Sequence, residues 1–232
     1  MHQLLQQIFS GLAAGAIYAS LALALVMIYR ATDLVNFAQG EMAMFSTYIA
    51  WTLVNAGFPF WGAFVITLFA SFVGGMAIER IVIRPVENAP ILTAVVVTIG
   101  LLLIFNALAG WIYSYTLQEF PSPFPDRILF GALMTTRDVG VIVVTLVMLA
   151  ALFFFFRFTP TGLAMRAAAQ NPESARLCGI HVGRMLALGW GFAAAIGAVA
   201  GILVTFSVEW FELRMSADDP GGSISAHAMG GL

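Results

Sequence analysis

The sequence predicts an all-α fold, a polytopic transmembrane helix bundle of about six membrane helices. Three observations lead there. Hydrophobic residues make up 61% of the 232 positions and charged residues 9%, against roughly 45–50% and 25% in soluble domains. The charges are gathered, leaving long charge-free runs. A charge at the bilayer centre costs about 2.5–3.5 kcal/mol on insertion scales, so those runs locate the spans. Chain breakers then fall inside the one run that is too long to cross once.

The elements follow in order. Residues 3–29 carry no charge and predict a helix near 4–29. No Lys or Arg precedes Arg30, whereas a secretory signal opens on a basic stretch, so this segment reads as a retained membrane helix. Residues 42–78 are also charge-free. As one helix they would extend about 55 Å at 1.5 Å per residue, against a hydrocarbon core of about 30 Å. The run therefore folds back at Asn55-Ala56-Gly57-Phe58-Pro59, giving helices near 38–54 and 60–79. Charge-free runs at 88–118, 139–156 and 185–208 predict helices near 91–113, 138–156 and 185–207.

Successive connections alternate sides. Arg30, Arg80, Arg84, Arg157, Arg166, Arg176 and Arg184 fall on one side, and Arg127, Arg137 and Arg214 on the other. The positive-inside rule makes the first side cytoplasmic. The N-terminus is then outside, and segment 158–184 faces the cytoplasm. The loop Phe120 to Arg127, stiffened by three prolines, faces outside as a rigid connector or a docking surface for an external partner.

Several functions are excluded. A net charge of −2 gives no case for nucleic acid. The single cysteine, Cys178, forms no intrachain disulfide and reads as a small packing residue. All ten basic residues are arginines, and without lysine there is neither a Walker A motif nor Schiff-base chemistry. If ATP drives this protein, another chain binds it. His2, His181 and His227 have no metal-ligand spacing, no catalytic constellation is present, and no cofactor is implied. Nothing in these residues marks the chain as an enzyme.

Two features invite a role. Asn171-Pro172-Glu173 is a helix start, with Asn as N-cap, Pro at the first position and an acid where the dipole favours it. Gly179 is a stop. A helix over 172–178 is too short to persist alone, so it packs on its own bundle or on a second protein. The second feature is polar groups at membrane depth, functional candidates by default. Asn36, Gln39 and Glu41 cluster at the second helix. Glu41 either lines a translocation path or sits at the interface paired with Arg30. Thr98 and Asn106 lie nearly on one face of the fourth helix, for substrate or for helix contacts. Small residues repeat every fourth position at Gly11, Gly15 and Ala19, and at Ala193, Gly197 and Gly201. Such stripes suit close helix packing within the bundle or between subunits.

The spacing Glu173-x-Ala175-x-x-x-Gly179 resembles the E-A-A-x-x-x-G signature of ABC importer permeases, with Ser174 departing from it. VNFAQGEMAMFSTYIA (Val35 to Ala50), TIGLLLIFNALA (Thr98 to Ala109) and the segment Ala164 to Leu203 are similar to blocks of the branched-chain amino-acid ABC transporter permease family. The match is to the H-like subunit branch, with urea and short-amide permeases as close relatives. The resemblance implies a permease that moves branched-chain amino acids or a similar small polar solute into the cell. It implies ATPase subunits beneath, a second related permease subunit beside it, and an extracytoplasmic substrate-binding protein, all at a bacterial inner membrane. The signature's short helix sits in a groove on the ATPase. Arg166, Glu173, Ala175, Arg176 and Gly179 are then the ATPase-coupling positions, Ala175 and Gly179 as small residues that allow close approach. Asn36, Gln39, Glu41, Thr98 and Asn106 are the candidates for the translocation path.

After residue 207 the pattern thins. Residues 208–232 carry Glu209, Glu212, Asp218 and Asp219 and then a Gly/Ser-rich stretch, predicting a polar, poorly ordered tail and a chain truncated relative to the family. The alternatives are a stand-alone secondary transporter or channel for a small solute, or an inactive truncated permease.

Overall fold

The computed structural model describes residues 2–32, 34–87, 89–114, 120, 123–124, 128–129 and 134–218. Most of the proline-rich loop and residues 219–232 lie outside the described residues, so the expectations placed there are not addressed by the fold. The elements are α1 (His2–Thr32), α2 (Gln39–Asn55), α3 (Phe60–Ile78), α4 (Ile91–Tyr113), α5 (Thr136–Phe158), α6 (Pro160–Gln170), α7 (Pro172–Leu177) and α8 (Val182–Asp218). A two-residue ribbon, β1 (Ile128–Leu129) with β2 (Met134–Thr135), precedes α5.

The all-α bundle is as expected. Among the described residues, five helices are long and apolar enough to cross a membrane: α1, α3, α4, α5 and α8. The remaining expected crossing, α2, has 17 residues, at the short end of the range of about 17–25 that spans a bilayer. Large apolar side chains point outward, among them Tyr18, Phe69, Ile91 and Trp111, the last 83% exposed. Acyl chains are the solvent such a surface fits.

The core is organised on α8. Its apolar span is 72% buried, against 17% to 28% for the other four long helices. It packs on α1, α2 and α3, and small residues set those contacts. A Cβ at Gly75 of α3 would meet the Trp190 carbonyl oxygen at 2.5 Å, and one at Gly201 would meet the Ala43 carbonyl of α2 at 2.7 Å. The Ala193-Gly197-Gly201 stripe is thus the seat of α2. Around Gly11 and Gly15 nothing lies within 4 Å of an added Cβ, so the stripe on α1 plays no such part among the described residues.

Three local features differ from the sequence reading. The helix expected to end near 207 continues to Asp218, because Glu, Leu, Arg, Met and Ala in that stretch are good helix formers even where they are too polar for lipid. Residues 160–170, read as connector, form α6. Below α3 the chain widens into a π-turn over Glu79–Ile83 and then tightens into a short 3-10 turn at Arg84–Val86.

Candidate functional site

The segment between α5 and α8 is built from two capped helices. Thr159 Oγ1 accepts from the Gly162 amide at 3.0 Å, and Pro160 fills the first position of α6. Asn171 Oδ1 accepts from the Ser174 amide at 2.9 Å, and Pro172 opens α7 in the same way. These side chains satisfy amides that have no intrahelical partner. At the other end of α7 the Ile180 amide reaches the Ala175 carbonyl and the Gly179 amide the Arg176 carbonyl, both at 3.0 Å. This paired closure needs a left-handed residue between them, and Gly179 has φ +79°. Gly179→Ala therefore costs about 1–2 kcal/mol of local stability, and Gly179→Asn costs less. Amide hydrogen exchange over 172–178 checks this: exchange quickens most in the alanine variant.

The five coupling positions separate into three kinds. Glu173 and Arg176 on α7, and Arg166 on α6, are exposed. Ala175 is 4% exposed, turned inward against Ala168, Val182 and Leu186, so it anchors α7 to the bundle and offers nothing to a facing surface. Gly179 has open space around it, and its requirement is backbone conformation, not close approach. Cys178 is exposed and so does not pack, since it lies at the solvent side of the cap. Sequence reasoning passed over Leu177, which is 91% exposed. The available signal was an aliphatic residue set among Glu173, Ser174, Arg176 and Cys178 on so short a helix.

The polar groups near α2 also divide. Asn36 and Gln39 are 0% and 2% exposed. Asn36 Oδ1 accepts from the Ala38 amide at 3.0 Å and Asn36 Nδ2 donates to Gln39 Oε1 at 3.3 Å; Gln39 Nε2 donates to the Ala193 carbonyl at 3.0 Å. They shape the entry to α2 and tie it to α8. An added Cβ at Gly197 would lie 2.5 Å from Gln39 Nε2, so the glycine makes room for the amide. Thr98 is 1% exposed and donates to Val95 of its own helix at 2.9 Å. Asn106 is exposed, because eight residues at 3.6 per turn leave it about 80° around the helix from Thr98. Asn106 Nδ2 approaches Glu41 Oε2 at 3.5 Å. The structure thus brings Glu41 and Asn106 together and places Asn36, Gln39 and Thr98 in packing.

Asn106 opens onto a cavity of about 450 Å³ between α1, α2, α4 and α8. Leu21, Met44, Trp51 and Val204 contribute apolar wall, while Thr47, Asn106, Ser114 and Thr205 contribute polar groups. Tyr48 and Trp51 make one rim aromatic, and Tyr48 is stacked from behind on Tyr113 at 4.5 Å. Thr47, Ser114, Phe120 and Thr205 place the cavity in the half of the bundle remote from α7. Such a lining, mostly apolar with a few convergent polar groups, suits a small organic molecule. Among the described residues no group of His, Cys, Asp and Glu could hold a metal ion.

A family model described as "Branched-chain amino acid transport system / permease component" matches residues 7–230. The match runs past residue 207, where the motifs themselves thin out. The high-affinity branched-chain amino acid transport system permease protein LivH of Escherichia coli K12 is 33% identical over 221 residues, covering 86% of this chain and 70% of that protein. BraD of Pseudomonas aeruginosa, with the same description, is 26% identical over 219 residues, covering 88% of this chain and 71% of that one. A probable LivH permease of Methanocaldococcus jannaschii is 29% identical over 199 residues, 82% of this chain and 62% of that one. No solved structure matches.

Proposed function

The chain belongs to the branched-chain amino acid transport permease family, and on that premise we propose that it is the membrane subunit of an ATP-driven importer. It imports a branched-chain amino acid or a similar small polar solute across an inner membrane, with its N-terminus outside and α6 and α7 in the cytoplasm. ATP is bound and hydrolysed by separate ATPase subunits, consistent with a chain whose basic residues are all arginine. A second related permease subunit completes the pathway, and an external binding protein delivers the substrate. The surrounding partner is membrane lipid.

One observation carries this reading. A six-residue helix, too short to persist by itself, is held by caps at both ends and anchored by Ala175, while Glu173, Arg176 and Leu177 face solvent. That is the form of an element built to be gripped from outside. The cavity complements it at the opposite end of the bundle, with apolar wall for an aliphatic side chain and sparse polar groups for a charged or amide head. We assign Glu41 and Asn106 to the pathway, and Arg166, Glu173, Arg176 and Leu177 to the ATPase contact. Ala175 and Gly179 support that contact from behind.

The test is a pull-down from detergent-solubilised native membranes with this chain as bait, beside a variant lacking 166–183. Recovery of an ATPase and a second permease, with the ATPase lost on deletion, supports the proposal. Equal ATPase recovery by the deletion variant contradicts it. For the cavity, Asn106→Leu removes a hydrogen-bonding group, and one such bond contributes about 0.5–1.5 kcal/mol. The expected result is a KM for labelled leucine uptake raised several-fold with little change in ATPase recovery. An unchanged KM would place the pathway elsewhere.

A further inference from the structure

Arg84 joins the exit of the coupling segment to the third helix. Its Nη2 donates to the Gly183 carbonyl at 2.6 Å and to Glu79 Oε2 at 3.1 Å, and its Nε donates to Glu79 Oε1 at 3.3 Å. Glu79 is 1% exposed and opens the π-turn beneath α3. Gly183 lies in the first turn of α8. An added Cβ there would meet Arg84 Nη2 at 3.1 Å, so the missing side chain lets the guanidinium lie against the backbone. One planar fork thus grips Glu79 on its own segment and a carbonyl 99 positions further along the chain from Arg84, a geometry that a lysine ammonium does not reproduce.

We infer that Arg84 is a positioning residue that carries displacement of α7 into the paired α3 and α8. This rests on the reading of the chain as an ATPase-coupled permease. The contacts form a continuous path. Ala175 of α7 packs on Val182 and Leu186 at the start of α8. The Gly183 carbonyl between them is held by Arg84, and Arg84 by Glu79 at the base of α3. Above that point α3 and α8 are in backbone contact at Gly75 with Trp190 and at Gly191 with Phe72. Gln39 links α8 onward to α2, which forms one wall of the cavity. The path passes through the π-turn at the base of α3, a feature frequent at functional sites, and the adjoining 3-10 turn, of the kind that often marks a hinge. With Arg84 removed, α7 still docks on its partner, but its movement is taken up by the loosened first turn of α8.

The ratio of solute moved to ATP hydrolysed tests this, since a merely structural role lowers both together. The complex recovered with this chain is placed in liposomes, and labelled leucine uptake and phosphate release are measured side by side. Arg84→Ala leaves Glu79 buried without its partner, so a second variant, Glu79→Leu with Arg84→Met, removes both charges; such replacements of buried pairs are often neutral or stabilising. The expected result is normal ATPase recovery and hydrolysis in both variants, with uptake per ATP lowered at least tenfold. Arg84→Lys is expected to be intermediate. An unchanged ratio in the double variant overturns the inference, as does parallel loss of hydrolysis and uptake. If the unaltered chain recovers no ATPase, the functional reading itself fails, and that arm shows it without any variant.

Discussion

If α7 is the proposed ATPase contact, Leu177→Asp is expected to release the ATPase while leaving the bundle's own stability unchanged. Leu177 is 91% exposed, so the folded chain loses almost nothing; surface changes of this kind lie within about ±0.5 kcal/mol. In a partner's groove the account is reversed. Burying a leucine contributes about 1.5–3 kcal/mol, and a carboxylate in its place is desolvated without a partner. Together these predict at least a hundredfold weaker association. Co-purification reads the first part and thermal unfolding in detergent the second. Ala175→Leu should weaken association by another route, because a larger side chain lifts α7 off Ala168, Val182 and Leu186. Full ATPase recovery by the Leu177 variant would remove α7 from the contact.

Gly75→Ala destabilises the protein, and Gly74→Ala, one position away, does not. A Cβ at Gly75 would lie 2.5 Å from the Trp190 carbonyl oxygen and 2.7 Å from Ala194 Cβ. Neither atom is the tip of a flexible side chain, so α3 and α8 must part. Overpacking of this kind costs about 1–3 kcal/mol, here at the most buried helix. At Gly74 nothing lies within 4 Å, and alanine gains up to about 1 kcal/mol of helix propensity. The melting temperatures of the two purified variants should move in opposite directions, by about 2–4 °C per kcal/mol for a chain of this size. Equal shifts would mean that α3 and α8 do not meet as described.

The membrane helices were legible because charge is so costly in lipid that its absence marks each span. The same criterion ended α8 too early, since it registers lipid compatibility and not helix propensity, and Glu209 and Glu212 remain good helix residues. It also passed over α6, although Thr159-Pro160 is the same kind of start signal as Asn171-Pro172. The irregular turns at 79–86 did leave a local mark in Pro85, which has no amide hydrogen and clashes with the carbonyl four residues back, so the helix cannot run on regularly there. At the candidate site, spacing identified α7 but not which of its side chains face outward. Ala175 and Leu177 exchange the roles that size alone suggests, because only the cap geometry sets the rotation of α7. Asn36 and Gln39 were visible as polar groups at depth, yet polarity does not distinguish a pathway from a helix junction. That distinction required Gly197 and the Ala193 carbonyl to be placed beside them.

The most direct test of the central claim is uptake of labelled leucine, isoleucine and valine into liposomes containing the complex purified through this chain, with the external binding protein supplied and ATP on the ATPase side. The expected result is accumulation against a gradient that requires hydrolysable ATP and disappears with the 166–183 deletion. Accumulation by the chain alone, without ATP and indifferent to that deletion, would contradict it.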